Sequence, residues 1–272
     1  MRLLKTYDFN GVKGFRLGWS PVGAPLMTSF CFVLQDLMVD TGLSHMKKEV
    51  LKIAGEHGIK RIFLTHHHED HSGNAGAIRQ AMGVPVYGHP MTIEKMARPF
   101  RILPYQKLVW GRALPLHVDL FPEIIDTVLG VMVPVHTPGH SKDHTAFFIK
   151  EAGILFSGDL YLADRIKYFR ADECLGTEIE SLKKVLKLDF DMLLCSHFPK
   201  IENGQERIMA KLAFLEDLYG SIIDLWEKGI PEKEIFKALG LKEDYFTRAF
   251  CFGNVSMMNG VRSVVRHYEN GQ

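Results

Sequence analysis

The sequence predicts an α/β fold built in layers and followed by a helical tail, on three observations. Short runs of branched and aromatic residues alternate with segments of helical apolar spacing between about residues 12 and 195. Four of those runs stop just before a histidine or an aspartate, at Thr65–His71, His140, Asp159 and His197. From residue 203 to about 268 the spacing is helical almost throughout. The expected division is a catalytic domain over 1–202 and a helical extension over 203–272.

Bulk properties narrow the classes. A chain of 272 residues, 46% apolar, can bury one substantial core with an appendage. A net charge of +1 gives no global field toward nucleic acid or an anionic membrane, leaving only local basic patches. Cys31, Cys174, Cys195 and Cys251 are scattered without a C-x-x-C pair, which argues against a disulfide scaffold and a cysteine-zinc knuckle. No apolar leader is read at the N-terminus, and no run approaches the roughly 18 apolar residues of a membrane span. The expected setting is the reduced cytoplasm.

Taken in order, Val12–Trp19 is a mixed, Gly-broken strand and Thr28–Leu34 a strong one; Asp36 and Asp40 bracket the short run Leu37–Val39. Met46–His57 is a helix with Val50, Ile53 and Ala54 on one face and a stop at Gly58. A strand at Arg61–Leu64, a helix near 73–82 and a strand at Val84–Tyr87 follow. Residues 98–127 have no period, and basic residues alternating with Pro, Phe, Tyr and Trp suit a surface excursion near a site mouth. Val131–Val135 is a strand, Thr145–Ile149 and Gly153–Phe156 a hairpin, 177–187 a helix, and Met192–Cys195 a strand. In the long helix Glu206–Glu227, Ile208, Leu212, Leu215, Leu218, Ile222 and Leu225 make one stripe. Beyond the break at Gly229-Ile230-Pro231, shorter helices offer Ile235, Leu239, Phe246, Phe250 and Val261 to meet it.

The chemistry-bearing stretch is Thr65-His66-His67-His68-Glu69-Asp70-His71. If the backbone stays extended past Thr65, His66 and His68 face one side and His67 the other. Gathering that many imidazoles and carboxylates is costly unless a cation joins them; nitrogen and oxygen donors suit zinc, and iron or manganese accept them too. A polar, His-rich turn is the plain alternative, and three distant segments weigh against it. In Thr137-Pro138-Gly139-His140, Pro138 disfavours helix and Gly139 permits the positive φ of a sharp turn. Ser157-Gly158-Asp159 and Ser196-His197 each follow a strand directly.

In this order and spacing, across about residues 28–200, T-H-x-H-x-D-H, T-P-G-H, S-G-D and S-H resemble the metallo-β-lactamase-fold superfamily. The resemblance implies a four-layer αββα sandwich with a dinuclear site between the sheet edges. It places His66, His68 and His140 on one metal, Asp70, His71 and His197 on the other, and Asp159 between them. Asp40, in Val39-Asp40-Thr41-Gly42, matches the family's aspartate that orients a ligating imidazole. It implies two Zn2+, with Fe or Mn as alternatives, and a water between them that loses its proton near neutral pH and attacks the substrate. Asp70 is then the catalytic carboxylate that orients this water and passes its proton on. The chain departs from the family's frequent P-G-H-G setting of the last histidine, with Cys195-Ser196-His197-Phe198-Pro199 instead. A helical C-terminal addition is similar to the glyoxalase II group of thioesterases. The T-P-G-H-S-K-D-H stretch resembles the lactamase-like-protein-2 branch, some members of which cut RNA.

The other polar residues read less sharply. His67 is expected in packing, His136 as structural, and His144 either lining the pocket or steadying the loop. Arg165, Lys167, Tyr168 and Arg170 follow Asp159 closely and are candidates for a substrate pocket, gripping a carboxylate or phosphate; a solvated turn is the alternative. His57, His89, His117 and His267 read as surface or turn residues. The helical tail reads as a cap over the site, a partner surface or a homodimer contact.

The expected function is hydrolysis of a small ester, thioester or lactone, with a phosphodiesterase or ribonuclease as the alternative. The lack of a long basic stripe weighs against nucleic acid. The family's diiron members carry Glu where this chain has His68, which weighs against redox chemistry. A metal-binding module without catalysis would have lost a ligand, and all seven positions are filled.

Overall fold

Residues 1–271 are described by a computed structural model. The first sheet runs in sequence order: β1 (Arg2–Phe9), β2 (Val12–Trp19), β3 (Thr28–Leu34), β4 (Leu37–Val39), β5 (Arg61–Phe63), β6 (Val86–Gly88) and β7 (Asp119–Leu120). Its pairing is antiparallel from β1 to β4 and parallel from β4 to β7. The second sheet holds β8 (Ile125–Thr127), β9 (Gly130–His136), β10 (Thr145–Ile149) and β11 (Ile154–Gly158). After the short β12 (Phe169–Arg170), β13 (Met192–Cys195) completes it in the order β13-β11-β10-β9-β8, with β11 and β13 parallel. Far along the chain, β14 (Val255–Ser256) pairs with β12.

The period-two pattern explains why the sheets stack. In β3, Phe30, Phe32 and Leu34 enter the core between the sheets, while Cys31 and Val33 enter the core under the helices. In β13, Met192 and Leu194 face the other sheet, and Leu193 and Cys195 face the helices. Burying each such Phe or Leu side chain contributes about 1.5–3 kcal/mol, and with both faces buried a one-residue slip would exchange the two sets. Outside the first sheet lie α1 (Lys47–Glu56), α2 (Glu69–Ser72), α3 (Ala75–Met82), α4 (Pro90–Met96) and α5 (Pro104–Val109). Outside the second lie α6 (Leu175–Val185) and the tail helices α7 (Gly204–Trp226), α8 (Glu232–Ala238), α9 (Tyr245–Phe250) and α10 (Met257–Gly271). This is the four-layer αββα sandwich with a helical C-terminal region.

Several readings change. β1 was not expected; its residues are mostly exposed, and it forms by pairing along its whole length with β2. Residues 98–127 are no mere surface excursion, because Trp110, Ala113, Leu116 and Val118 are buried in the first core with Met96. In the tail stripe Ile208, Leu215, Leu218 and Ile222 are buried, whereas Leu212 and Leu225 are only partly so. Ile235 and Val261 meet that stripe, but Phe246 is exposed. Among the described residues no helix is long and apolar enough to cross a membrane.

The parallel pairings deliver the site. β4, β11 and β13 end directly before Asp40, Asp159 and Ser196, and β5 ends with only Leu64 before Thr65, all at one edge of the sandwich. The sheets are stitched there by Thr145 N–H to Thr65 O (2.8 Å) and Phe30 N–H to Ser196 O (2.7 Å).

Candidate metal centre

Asp40 is the anchor of this edge. Its carboxylate accepts from the backbone N–H of Thr65 (2.8 Å), from Thr65 Oγ1 (2.8 Å) and from His71 Nδ1 (2.7 Å). Since Thr65 Oγ1 gives its proton to Asp40, it can accept from His66 Nδ1 at 3.0 Å. On the other strand ends, His140 Nδ1 donates to Glu173 Oε1 (2.6 Å) and His197 Nδ1 to Thr28 O (2.7 Å). Each bond fixes a tautomer and leaves Nε2 of His66, His71, His140 and His197 as a bare lone pair.

Those lone pairs converge in two sets whose donor atoms lie within 4.8 Å of one another, His66/His68/His140 and Asp70/His71/Asp159/His197. In the first, His68 Nδ1 lies 2.8 Å from His66 Nε2 and 3.1 Å from His140 Nε2. One proton can bridge only one of those pairs, so the third nitrogen faces another lone pair; a cation satisfies all three. In the second, His71 Nε2 and Asp159 Oδ1 sit 3.3 Å apart, both buried and both without a hydrogen bond among the described residues. His197 Nε2 lies 3.4 Å from the same oxygen and 3.5 Å from Asp70 Oδ2. Asp159 Oδ2 reaches the other way, 3.4 Å from His140 Nε2, so one carboxylate spans both sets. The residues therefore fit two metal ions.

The electrostatics agree with that donor chemistry. Burial, reinforced by neighbouring imidazoles, holds His66 well below the usual histidine range. Burial also opposes charge on His71, but Asp159, Asp70 and Asp40 outweigh it and raise its pKa well above that range. For Asp159, burial is outweighed by His71 and His197, which keep it ionised. Burial thus keeps His66 and His68 neutral, while the carboxylates draw positive charge toward His71, His140 and His197; a divalent ion complements both, by taking up neutral nitrogens and by supplying that charge.

His67 points away, as the extended backbone requires, and pairs with Asp143 (3.0 Å). His144 does not line an open pocket. It is fully buried, its Nδ1 is 2.8 Å from Thr137 Oγ1, and its Nε2 accepts from the backbone N–H of Asp159 at 3.0 Å. Of its two expected roles it takes the steadying one, with its pKa pushed down to about 3 by burial and by His140. Arg165, Lys167 and Tyr168 are exposed, while Arg170 is folded in, its Nε 3.1 Å from Asp172 Oδ1. His267 is no free surface residue either, since its Nδ1 bonds Tyr219 Oη at 2.8 Å.

Two acidic residues escaped the sequence reading. Glu173 is buried against His140, and Glu69 is buried with Gln106 Nε2 at 3.2 Å, its pKa raised by burial. Glu69 stands inside the motif, between His68 and Asp70, where an acid on a buried turn was the available signal. Glu173 had none, being brought in from 33 residues away by tertiary packing.

The sequence profile described as the metallo-beta-lactamase superfamily matches residues 24–197. The chain belongs to this superfamily. It is 29% identical over 211 residues to an atrochrysone carboxyl ACP thioesterase of Aspergillus fumigatus, covering 72% of this chain and 59% of that one. It is 31% identical over 189 residues to a hydroxyacylglutathione hydrolase of Pseudomonas savastanoi pv. phaseolicola, covering 64% of each. The chain thus spans 59% and 64% of the length of these two relatives. The fold is shared with a metallo-beta-lactamase family protein from Thermus thermophilus, with a TM-score of 0.67, 21% identity, and coverage of 95% of this chain and 94% of that one.

Proposed function

We propose that this protein is a hydrolase of small thioesters that works with two divalent ions, most simply zinc. His66, His68 and His140 would hold one ion, and Asp70, His71 and His197 the other. The observation that carries the reading is Asp159, whose two oxygens lie 3.3–3.4 Å from histidines of both sets. When bound, the ions supply an activated water as nucleophile and Lewis-acid stabilisation of the charge developing on the carbonyl oxygen. The chain's own groups do the rest. Asp70 orients the incoming water, holds its proton and returns it to the departing thiolate, so that acid and thiol leave. His144 keeps Asp159 in place through its backbone N–H. Arg170, half-buried beside Asp172, and the exposed Arg165, Lys167 and Tyr168 of the same segment would meet an anionic part of the substrate.

Thioester chemistry is favoured over simple esters and lactones because one relative named above is described as a thioesterase and the other as a hydrolase of hydroxyacylglutathione, an acyl group carried on a thiol compound. Residues 1–202 would form the catalytic unit and 203–272 its extension; free cysteines support a cytoplasmic setting. The test is turnover of an acyl-thioester, a lactone and bis-p-nitrophenyl phosphate by protein stripped of metal and reloaded with zinc. Metal-dependent thioester cleavage with the highest kcat/KM is expected. Faster cleavage of the phosphodiester would favour the nuclease alternative, and activity indifferent to chelation would end the metal reading.

A further inference from the structure

Glu173 is bonded to the centre at one end and to the tail at the other. Its Oε1 takes His140 Nδ1 at 2.6 Å, and its Oε2 takes the backbone N–H of Arg170 at 2.9 Å. The backbone of its segment is held from outside by the tail. Asn259 Nδ2 donates to Phe169 O (3.1 Å), Ala171 N–H donates to Asn254 O (2.8 Å), and Arg266 Nη2 donates to Ala171 O (3.1 Å). Ser263 Oγ donates to Glu173 O (2.8 Å) and accepts from Leu175 N–H (3.0 Å). Residues 169, 171, 173 and 175 thus each offer a backbone group to the tail, from β12 through the turn at 171–172 to the first residue of α6.

The helix facing them is built for that contact. Asn259, Ser263 and Arg266 recur at spacings of four and three on α10, one polar stripe on an otherwise apolar inner face. Gly260 allows the approach, since a Cβ there would stand 2.5 Å from the ring of Phe169. Nothing of this stripe touches a candidate ligand. Its bonds end on the segment that holds the carboxylate behind His140.

We infer that Ser263, with Asn259, is a positioning residue of the metal centre, and that α10 sets the affinity of the His66/His68/His140 set through Glu173. The inference rests on the metal reading above. Its mechanism is orientation: a carboxylate behind a ligating imidazole fixes the ring and raises its basicity, and loss of such a partner weakens metal binding by about 10–100-fold.

The experiment titrates zinc into metal-free, full-length protein against a chromophoric chelator, with cobalt(II) absorption as a second readout. Wild type should take up two ions. Glu173→Gln should weaken one of them at least tenfold and leave the other unchanged, and Ser263→Ala should weaken the same one. The double variant should bind no worse than Glu173→Gln alone, because both act along one path. Ile222→Val, in the tail core away from this segment, should lower Tm without changing either affinity. Wild-type affinities in Ser263→Ala, or an equal loss in Ile222→Val, would overturn the inference while leaving the metal reading intact. A wild type that binds no zinc would instead remove the reading on which it rests.

Discussion

Lys211 lies inside the protein on α7, 1% exposed, with Nζ 2.6 Å from Glu178 Oε1 and 2.7 Å from Leu160 O. Lys211→Met keeps the apolar stem and removes the charge, leaving Glu178 buried without its partner. Breaking a buried pair on one side costs about 3–5 kcal/mol. At roughly 2–4 °C per kcal/mol for a chain of this class, Tm should fall by about 6–20 °C. Burial already raises the pKa of Glu178, against the pull of Lys211, and removing the lysine raises it further. A carboxyl with a raised folded-state pKa contributes stability below its unfolded value of about 4.3 and loses it as pH rises through the folded one. The deficit of Lys211→Met should therefore be larger at pH 8 than at pH 5. Lys211→Met/Glu178→Leu removes both charges and should recover most of the loss, since apolar replacement of a whole buried pair is often neutral. Urea unfolding at both pH values of the metal-free Lys211→Met, Glu178→Leu and double variants measures these costs. A single-variant cost under about 1 kcal/mol, or a double variant that simply adds the two single losses, would show that the pair is solvated and the reasoning wrong.

Three further outcomes are expected. Gly139→Ala should drive a Cβ to 2.5 Å from the Glu178 backbone at φ +142°, displacing the His140 turn; equilibrium dialysis should find a lower metal content. His67→Ala should retain at least half of wild-type turnover and both metals, because its ring meets Asp143 rather than the centre, and equal loss of both would place His67 among the ligands. Asp159→Asn, which keeps the shape and removes the charge shared by both sets, should reduce kcat/KM at least a hundredfold in a thioester assay, about 2.7 kcal/mol by transition-state arithmetic.

Much of this was legible in the chain because it depends on local pattern. The β-branched and aromatic runs marked the strands that bear ligands, and alternation along an extended segment separated His67 from His66 and His68. Gly139 announced its turn, and φ there is indeed positive at 142°. The strand β1 was not legible, because its exposed residues carry no alternation and it exists by pairing with β2. Trp110 and Leu116 were read as surface because aperiodic segments hide their burial until a core forms around them. His144 was ambiguous for another reason: only the three-dimensional path shows that the Asp159 backbone N–H arrives at its Nε2. Glu173 and Ser263 follow the same rule, since a partner fixed by packing leaves no spacing to read.

The hydrogen bonds around Asp40 bear on the order in which this protein folds and loads. Asp40 holds φ at +55°, bending the chain at the end of β4, and among the described residues its carboxylate is bonded by Thr65 and His71. Next to it, Thr41 Oγ1 donates to His71 O (2.8 Å) and Asn74 Nδ2 to Thr41 O (2.8 Å) and Leu43 O (2.9 Å). These bonds run between the protein's own groups, which predicts a preorganised cradle. In a zinc finger the metal's binding energy is folding energy; a site braced by the protein's own bonds is expected to fold without waiting for an ion. Chelation should then be a reversible emptying, with far-UV circular dichroism unchanged, and the ions should add stability only by mass action, in proportion to RT ln(1 + [metal]/Kd).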